Sequence, residues 1–98
     1  MRKIILEVSA QEDVFYWAKN DLKVLRKIIE LIEDTQRTPF SGKGKPELLK
    51  HNYKGFWSKR ITDEHRMVYK VTDESLIIIQ CRLSLNKKES YSRNSLFC

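Results

Sequence analysis

No apolar run in this chain approaches the ~20 residues a membrane-spanning helix needs. The opening Met1-Arg2-Lys3-Ile4-Ile5-Leu6-Glu7 meets charge too soon to act as a secretion signal. Cysteine is scarce: Cys81 and Cys98 are the two present, and two thiols do not make a disulfide framework. Both fit a reducing cytoplasm, with Cys81 at the end of an apolar run as a small buried hydrophobe. Histidine is equally scarce (His51 and His65), and no Cys/His pair has ligand spacing, so no metal or other cofactor is expected. Of the three glycines, two lie in GKGKP, which lacks the Gly-x-x-x-x-Gly-Lys-Ser/Thr frame of a phosphate loop. Proline ends that run where a helix would have to begin.

What is present is charge. The 98 residues carry a net +6, and residues 36–60 alone hold seven Lys/Arg against one acid, Glu47. One segment therefore supplies the whole excess. That is the footprint expected for a polyanion partner such as nucleic acid, the ribosome or an acidic protein. A solvated loop kept soluble by lysine would look the same. A chain of this length makes one small domain with one modest core.

Periodicity outlines the elements. Residues 2–8 alternate as a strand, with Ile4, Leu6 and Val8 against Lys3 and Glu7. Ser9-Ala10-Gln11-Glu12 has the form of a capping box opening a helix through Val14, Phe15, Trp17 and Ala18. Asn20-Asp21 offers a second start, followed by an apolar stripe of Leu22, Leu25, Ile28, Ile29 and Ile32. Thr38-Pro39-Phe40 stops that helix. Residues 47–50, 56–61, 66–72 and 75–82 read as strands joined by tight turns, with 76–79 continuously apolar and therefore interior. The order predicts an α+β domain: a two-helix hairpin packed on a mainly antiparallel twisted sheet. From Ser84 the pattern stops, so residues 1–83 are expected to form the domain and 84–98 a disordered or loosely packed tail.

Glu47 invites a chemical reading. An ionised carboxylate flanked by Lys45 and Lys50, near Arg60 and Arg66, can act as a general base beside cations that hold phosphate. On RNA the proton to remove is that of the 2′-hydroxyl, which then attacks the adjacent phosphodiester. Salt bridging on a basic face is the plainer alternative. His65 and Arg66 alternate along a strand and face opposite ways, so one of them can meet a given site; Arg66 is the better candidate. Tyr53, Phe56 and Trp57 either stack on bases or fill the core.

Arg37 to Arg82, with the strings TPFSGKGKPE and GFWSKRITDEHRMVY, closely resembles the YoeB (Txe/YoeB) toxins of the RelE/ParE superfamily, as does the preceding helical hairpin. Leu48 stands where that family often has a second proline. The resemblance implies a RelE-like microbial RNase fold and a toxin of a type II toxin-antitoxin system. Such a toxin enters the A site of the 70S ribosome and cuts mRNA through the 2′-hydroxyl, without metal. It implies a cytoplasmic protein with a YefM/Phd-type antitoxin, a homodimer, and operator DNA met only through the antitoxin complex. Carried over by position, Glu47 is the general base and Arg66 stabilises the phosphorane. Lys43, Lys45, Lys50 and Arg60 are supporting or RNA-binding cations.

The chain departs from the family after Arg82. Members continue with an aromatic residue and a His that serves as general acid; here Leu83 and Ser84 follow, and serine is too weak an acid for that role. Leu83-Ser84-Leu85-Asn86 can be encoded TTA-TCA-TTA-AAT, which read one base later gives Tyr, His and stop. A single inserted base would convert one ending into the other. Two alternatives to an active endoribonuclease therefore stand. One is a weakly active or inactive homologue that still binds ribosome and antitoxin. The other is a non-nuclease toxin acting on gyrase, against which Glu47 and the basic loop argue.

Overall fold

Residues 1–50 and 53–84 are described by the computed structural model, and they form two helices and five strands in the expected order. The strands are β1 (Lys3–Leu6), β2 (Glu47–Leu48), β3 (Trp57–Arg60), β4 (His65–Val71) and β5 (Ser75–Ser84); the helices are α1 (Val8–Asn20) and α2 (Leu22–Arg37). One sheet runs β1-β5-β4-β3-β2. The last four strands form an antiparallel meander, and β1 returns parallel to β5. The α+β expectation holds, and the apolar strand β5 is interior, between β1 and β4. The expected tail lies outside the described residues beyond Ser84, which is itself the last residue of β5.

The helices cover one face. Ala10 and Trp17 from α1, with Val24, Ile28 and Leu31 from α2, pack on Ile61, Met67, Tyr69, Leu76, Ile78 and Cys81. A smaller cluster of Leu49, Tyr53, Val68 and Leu83, with Phe56 and Ile79, lies apart from the helices. Met67 and Val68 are neighbours on β4 yet enter different clusters, as the pleat of a strand requires.

Asp21 caps α2 as expected, its carboxylate accepting from the backbone N–H groups of Lys23 and Val24. Three expectations need correction. Helix α1 begins at Val8, and its N-cap Glu7 makes no side-chain cap. The Ser9 hydroxyl instead donates to the Ile79 carbonyl at 2.5 Å, so a bond to β5 displaces the capping box. The first strand ends at Leu6, and Ile4, Ile5 and Leu6 all stay partly exposed because β1 is an edge strand. The buried stripe of α2 is Val24, Ile28, Leu31 and Thr35, with Leu25 and Ile32 half-buried and Leu22 and Ile29 exposed.

Helix α1 also grips β5 by its backbone. The Asp13 carboxylate accepts from the Cys81 N–H at 2.9 Å, and the Trp17 indole N–H donates to the Cys81 carbonyl at 3.0 Å. Ladder register shifts between the Arg66 and Val68 pairings, where Leu83 and Gln80 are their partners. Cys81 lies in that irregular stretch, where its peptide groups need partners outside the ladder.

Candidate functional site

Register assembles the site. Glu47 pairs with Ser58 and Ser58 with Val68; one step along, Arg60 pairs with Arg66 and Arg66 with Leu83. Directly opposed residues share a face, and residues two apart on a strand share it too. Glu47, Ser58, Arg60 and Arg66 therefore belong to the face away from the helices. The Arg66 side chain is only 8% exposed, whereas that of Glu47 is 56% exposed. Its Nη1 donates to Glu47 Oε1 at 2.5 Å and to Ser58 Oγ at 2.6 Å. Arg66 Nε, also buried, has no hydrogen-bond partner among the described residues. A charged fork thus lies at the sheet surface, held from behind by a serine and from the side by a carboxylate open to solvent.

The other expected cations are placed as follows. Lys43 is exposed, and its backbone N–H donates to Asp34 Oδ2 at 2.9 Å. Lys45 is exposed with a φ of 49°, a left-handed backbone conformation uncommon for lysine. Lys50 is exposed just beyond β2, and Arg60 is exposed at the end of β3. Lys45 and Arg60 line a cleft that also includes Lys27 and Asp63 and does not include Glu47 or Arg66. The structure therefore brings Glu47 and Arg66 into contact and sets Lys45 and Arg60 on a cleft of their own. Ser84 is half-buried and pairs with His65, one register step beyond the Arg66–Leu83 pair. His65 stacks edge-on against Trp17, with ring centroids 5.0 Å apart, on the helix side. His51 lies outside the described residues.

The aromatics go to packing. Tyr53 is buried with Phe56 beside it, and Trp57 meets Phe40 with centroids 4.9 Å apart. Two residues the sequence reading did not single out matter here. Ser58 is one; strand alternation back from Arg60 is the signal that finds it. Lys59 is the other: it is fully buried, its Nζ lying 3.5 Å from Asp34 Oδ2 and 3.1 Å from the Thr38 carbonyl. Its residue type does not distinguish it from the exposed Lys43, Lys45, Lys50 and Lys54 of the same segment.

This pair anchors the basic loop. Burial raises the Asp34 carboxyl, but the Lys43 N–H and the Lys59 ammonium outweigh it and hold the group below its ordinary value. Gly42 and Gly44 both have positive φ. A Cβ at Gly44 would meet Lys59 Cβ at 2.9 Å, Leu31 Cδ1 at 3.0 Å and the Arg60 nitrogen at 3.2 Å. The Gly44 carbonyl accepts from the Arg60 N–H at 2.7 Å, and Tyr69 Oη donates to the Pro39 carbonyl at 2.5 Å. The loop is thus pinned to α2 and β3 just before it delivers Glu47.

A family model described as YoeB-like toxin of bacterial type II toxin-antitoxin system matches residues 6–84. Toxin YoeB of Escherichia coli (strain K12) is 59% identical over 80 residues, 82% of this chain and 95% of that one. A solved YoeB dimer from Staphylococcus aureus superposes with a TM-score of 0.80 at 40% identity, covering 86% of this chain and 98% of that one. A heterotetrameric YoeB-YefM toxin-antitoxin complex from the same organism gives a TM-score of 0.78 at 40% identity, covering 87% and 99%.

Proposed function

The chain belongs to the YoeB-like toxin family of bacterial type II toxin-antitoxin systems, and from that premise we propose that it is a translation-inhibiting endoribonuclease built around Glu47 and Arg66. The observation that carries the reading is the contact between the buried Arg66 guanidinium and the solvent-open Glu47 carboxylate, with Arg66 Nε left unpaired among the described residues. An entering phosphodiester would take donors from Arg66, freeing Glu47 to act as base. Glu47 removes the proton of the 2′-hydroxyl; the 2′-oxygen attacks the adjacent phosphorus; the phosphorane charge falls on Arg66. The bond to the 5′-oxygen breaks, leaving a cyclic phosphate, and solvent supplies the proton to the departing oxygen. Lys43, Lys45, Lys50 and Arg60 attract and hold the RNA. The substrate is mRNA in the ribosomal A site, and the compartment is the cytoplasm. Relatives solved as a dimer and as a YoeB-YefM complex support a homodimer and a YefM-type antitoxin for this chain; on this reading operator DNA is reached through the antitoxin complex.

A second reading has its own observation. Ser84 follows Leu83 where the family's general acid is expected, and its register opposite His65 aligns it with the helix-side ring rather than with Arg66. On that reading the chain binds ribosome and antitoxin and cuts slowly or not at all. Loss of a general acid costs about 10²–10⁴-fold in rate. Cleavage on mRNA-programmed ribosomes decides. The comparison is this chain, Glu47→Ala, and a Leu83→Tyr/Ser84→His variant ending at residue 84. Cleavage by the first but not the second establishes the nuclease. Cleavage by the third alone establishes the disabled form. Cleavage unaffected by Glu47→Ala refutes the assigned base.

A further inference from the structure

A cleft of about 450 Å³ is lined by Lys27, Lys45, Arg60, Ile61, Thr62 and Asp63, with Gly44 at its wall, and Arg60 is the register partner of Arg66. Three cations face one carboxylate there, and among the described residues none of Lys27, Lys45 and Arg60 is ion-paired. Charge of one sign gathered in a concave site focuses potential on an anion. The cleft is also pre-formed. Gly44 is pressed against Lys59, Leu31 and the Arg60 nitrogen with no room for a side chain, and its carbonyl takes the Arg60 N–H. Lys45 is held left-handed by that anchored loop. Lys27 arrives from α2, one turn before the Leu31 against which the loop packs.

We propose that this cleft is a second phosphate subsite, holding an RNA backbone phosphodiester next to the one that Arg66 meets. Arg60 lies directly opposite Arg66 across β3 and β4, and Lys45 is two residues before Glu47. Opposed residues in an antiparallel pair have Cα atoms about 4.5–5.5 Å apart. That separation is short enough for a strand leaving the reacting phosphate to place a neighbouring one in the cleft. Lys27 is the member that belongs to no other feature of the site, so it isolates the subsite. An acidic peptide is the competing occupant. The three cations without an ion pair among the described residues and the register pairing of Arg60 with Arg66 favour a nucleic-acid strand. The inference rests on the RNA-cutting reading.

The test uses the full chain, Lys27→Gln, and Lys23→Gln as an exposed control on the same helix. Binding to a short, unstructured, fluorescein-labelled RNA is followed by anisotropy across a salt series. Lys27→Gln is expected to weaken binding and to reduce the slope of log affinity against log salt by about 0.7, the share of one phosphate on a single strand; Lys23→Gln leaves both unchanged. Equal effects of the two variants, or none from Lys27→Gln, overturn the subsite. So does a loss confined to an oligoglutamate peptide. Repeating the comparison on 70S ribosomes with and without mRNA separates the sources. A defect that requires mRNA assigns the phosphate to the message, and one that persists without it assigns ribosomal RNA. A chain that binds neither RNA nor ribosome overturns the subsite and the RNA-cutting reading together. Unaltered cleavage by Glu47→Ala overturns the catalytic reading alone.

Discussion

Asp34→Ala would leave a buried ammonium without its counter-ion. Lys59 is fully buried, and the Asp34 carboxylate 3.5 Å away is its partner of opposite charge among the described residues; the Thr38 carbonyl at 3.1 Å is neutral. Breaking a buried pair from one side costs about 3–5 kcal/mol, because the remaining charge stays desolvated. The substitution also removes the acceptor of the Lys43 N–H, worth about 1 kcal/mol. Domains are stable by about 5–15 kcal/mol in all, so this single change removes a large share. Urea unfolding followed by the fluorescence of buried Trp17 reads it. With a denaturant slope of about 2 kcal/mol per molar, the midpoint falls by about 2 M. The double variant Asp34→Ala/Lys59→Met carries no buried charge and is expected to regain most of the loss. If the double variant is no more stable than Asp34→Ala, charge burial is not what the pair relieves. If Asp34→Ala alone costs under about 1 kcal/mol, the pair behaves as a solvated surface bridge.

The same carboxylate gives a pH dependence: because its folded value lies below 3.8, its stabilisation is complete above that pH and is lost as pH falls through the folded value. Acid titration of wild type against Asp34→Asn, read by circular dichroism, should show a shallower loss in the variant. Gly44→Ala is expected to cost more than Gly55→Ala, by about 1–3 kcal/mol. Both have positive φ, but a Cβ at Gly55 meets nothing within 4 Å; equal melting temperatures would show that the loop gives way. Ser58→Ala removes one of two acceptors from Arg66 Nη1 and should slow cleavage while leaving antitoxin binding intact. Unchanged cleavage would show that Glu47 alone orients the guanidinium. Burial, then the nearby Asp13 carboxylate, pushes the Cys81 thiol up to about 12. In a Cys98→Ser background it should resist thiol reagents at pH 8 until the chain unfolds. Rapid labelling of the native protein would contradict its placement.

Much of the architecture was readable from periodicity, because apolar alternation and helical spacing report directly on faces. Asp21 as a cap, Arg37 as the end of α2 and the interior position of β5 all followed from local chemistry. Ser9 misled because its hydroxyl had a tertiary competitor, the Ile79 carbonyl 70 residues away, which no local rule contains. Glu47 and Arg66 were singled out by residue type and strand parity, and their contact followed. Ser58 meets Arg66 across β3 and β4, and strand parity with Arg60 marks it. Lys59 and Lys27 carry no such mark: their roles depend on α2 and the loop after it closing onto β3, a long-range event that residue type alone does not record.

The hold of α1 on Cys81 has a further consequence. It is made entirely on peptide groups, which every residue supplies alike, and its two side chains come from positions 13 and 17. The terminal stretch of the sheet is therefore registered from upstream. Leu83, two residues beyond Cys81, still packs beside Val68 and opposes Arg66, so substitutions that keep position 83 apolar keep the scaffold that presents Arg66. Loss of the chemistry and loss of the shape are in this way genetically separable. A lineage can discard the first while retaining a body that still competes for whatever recognises the second.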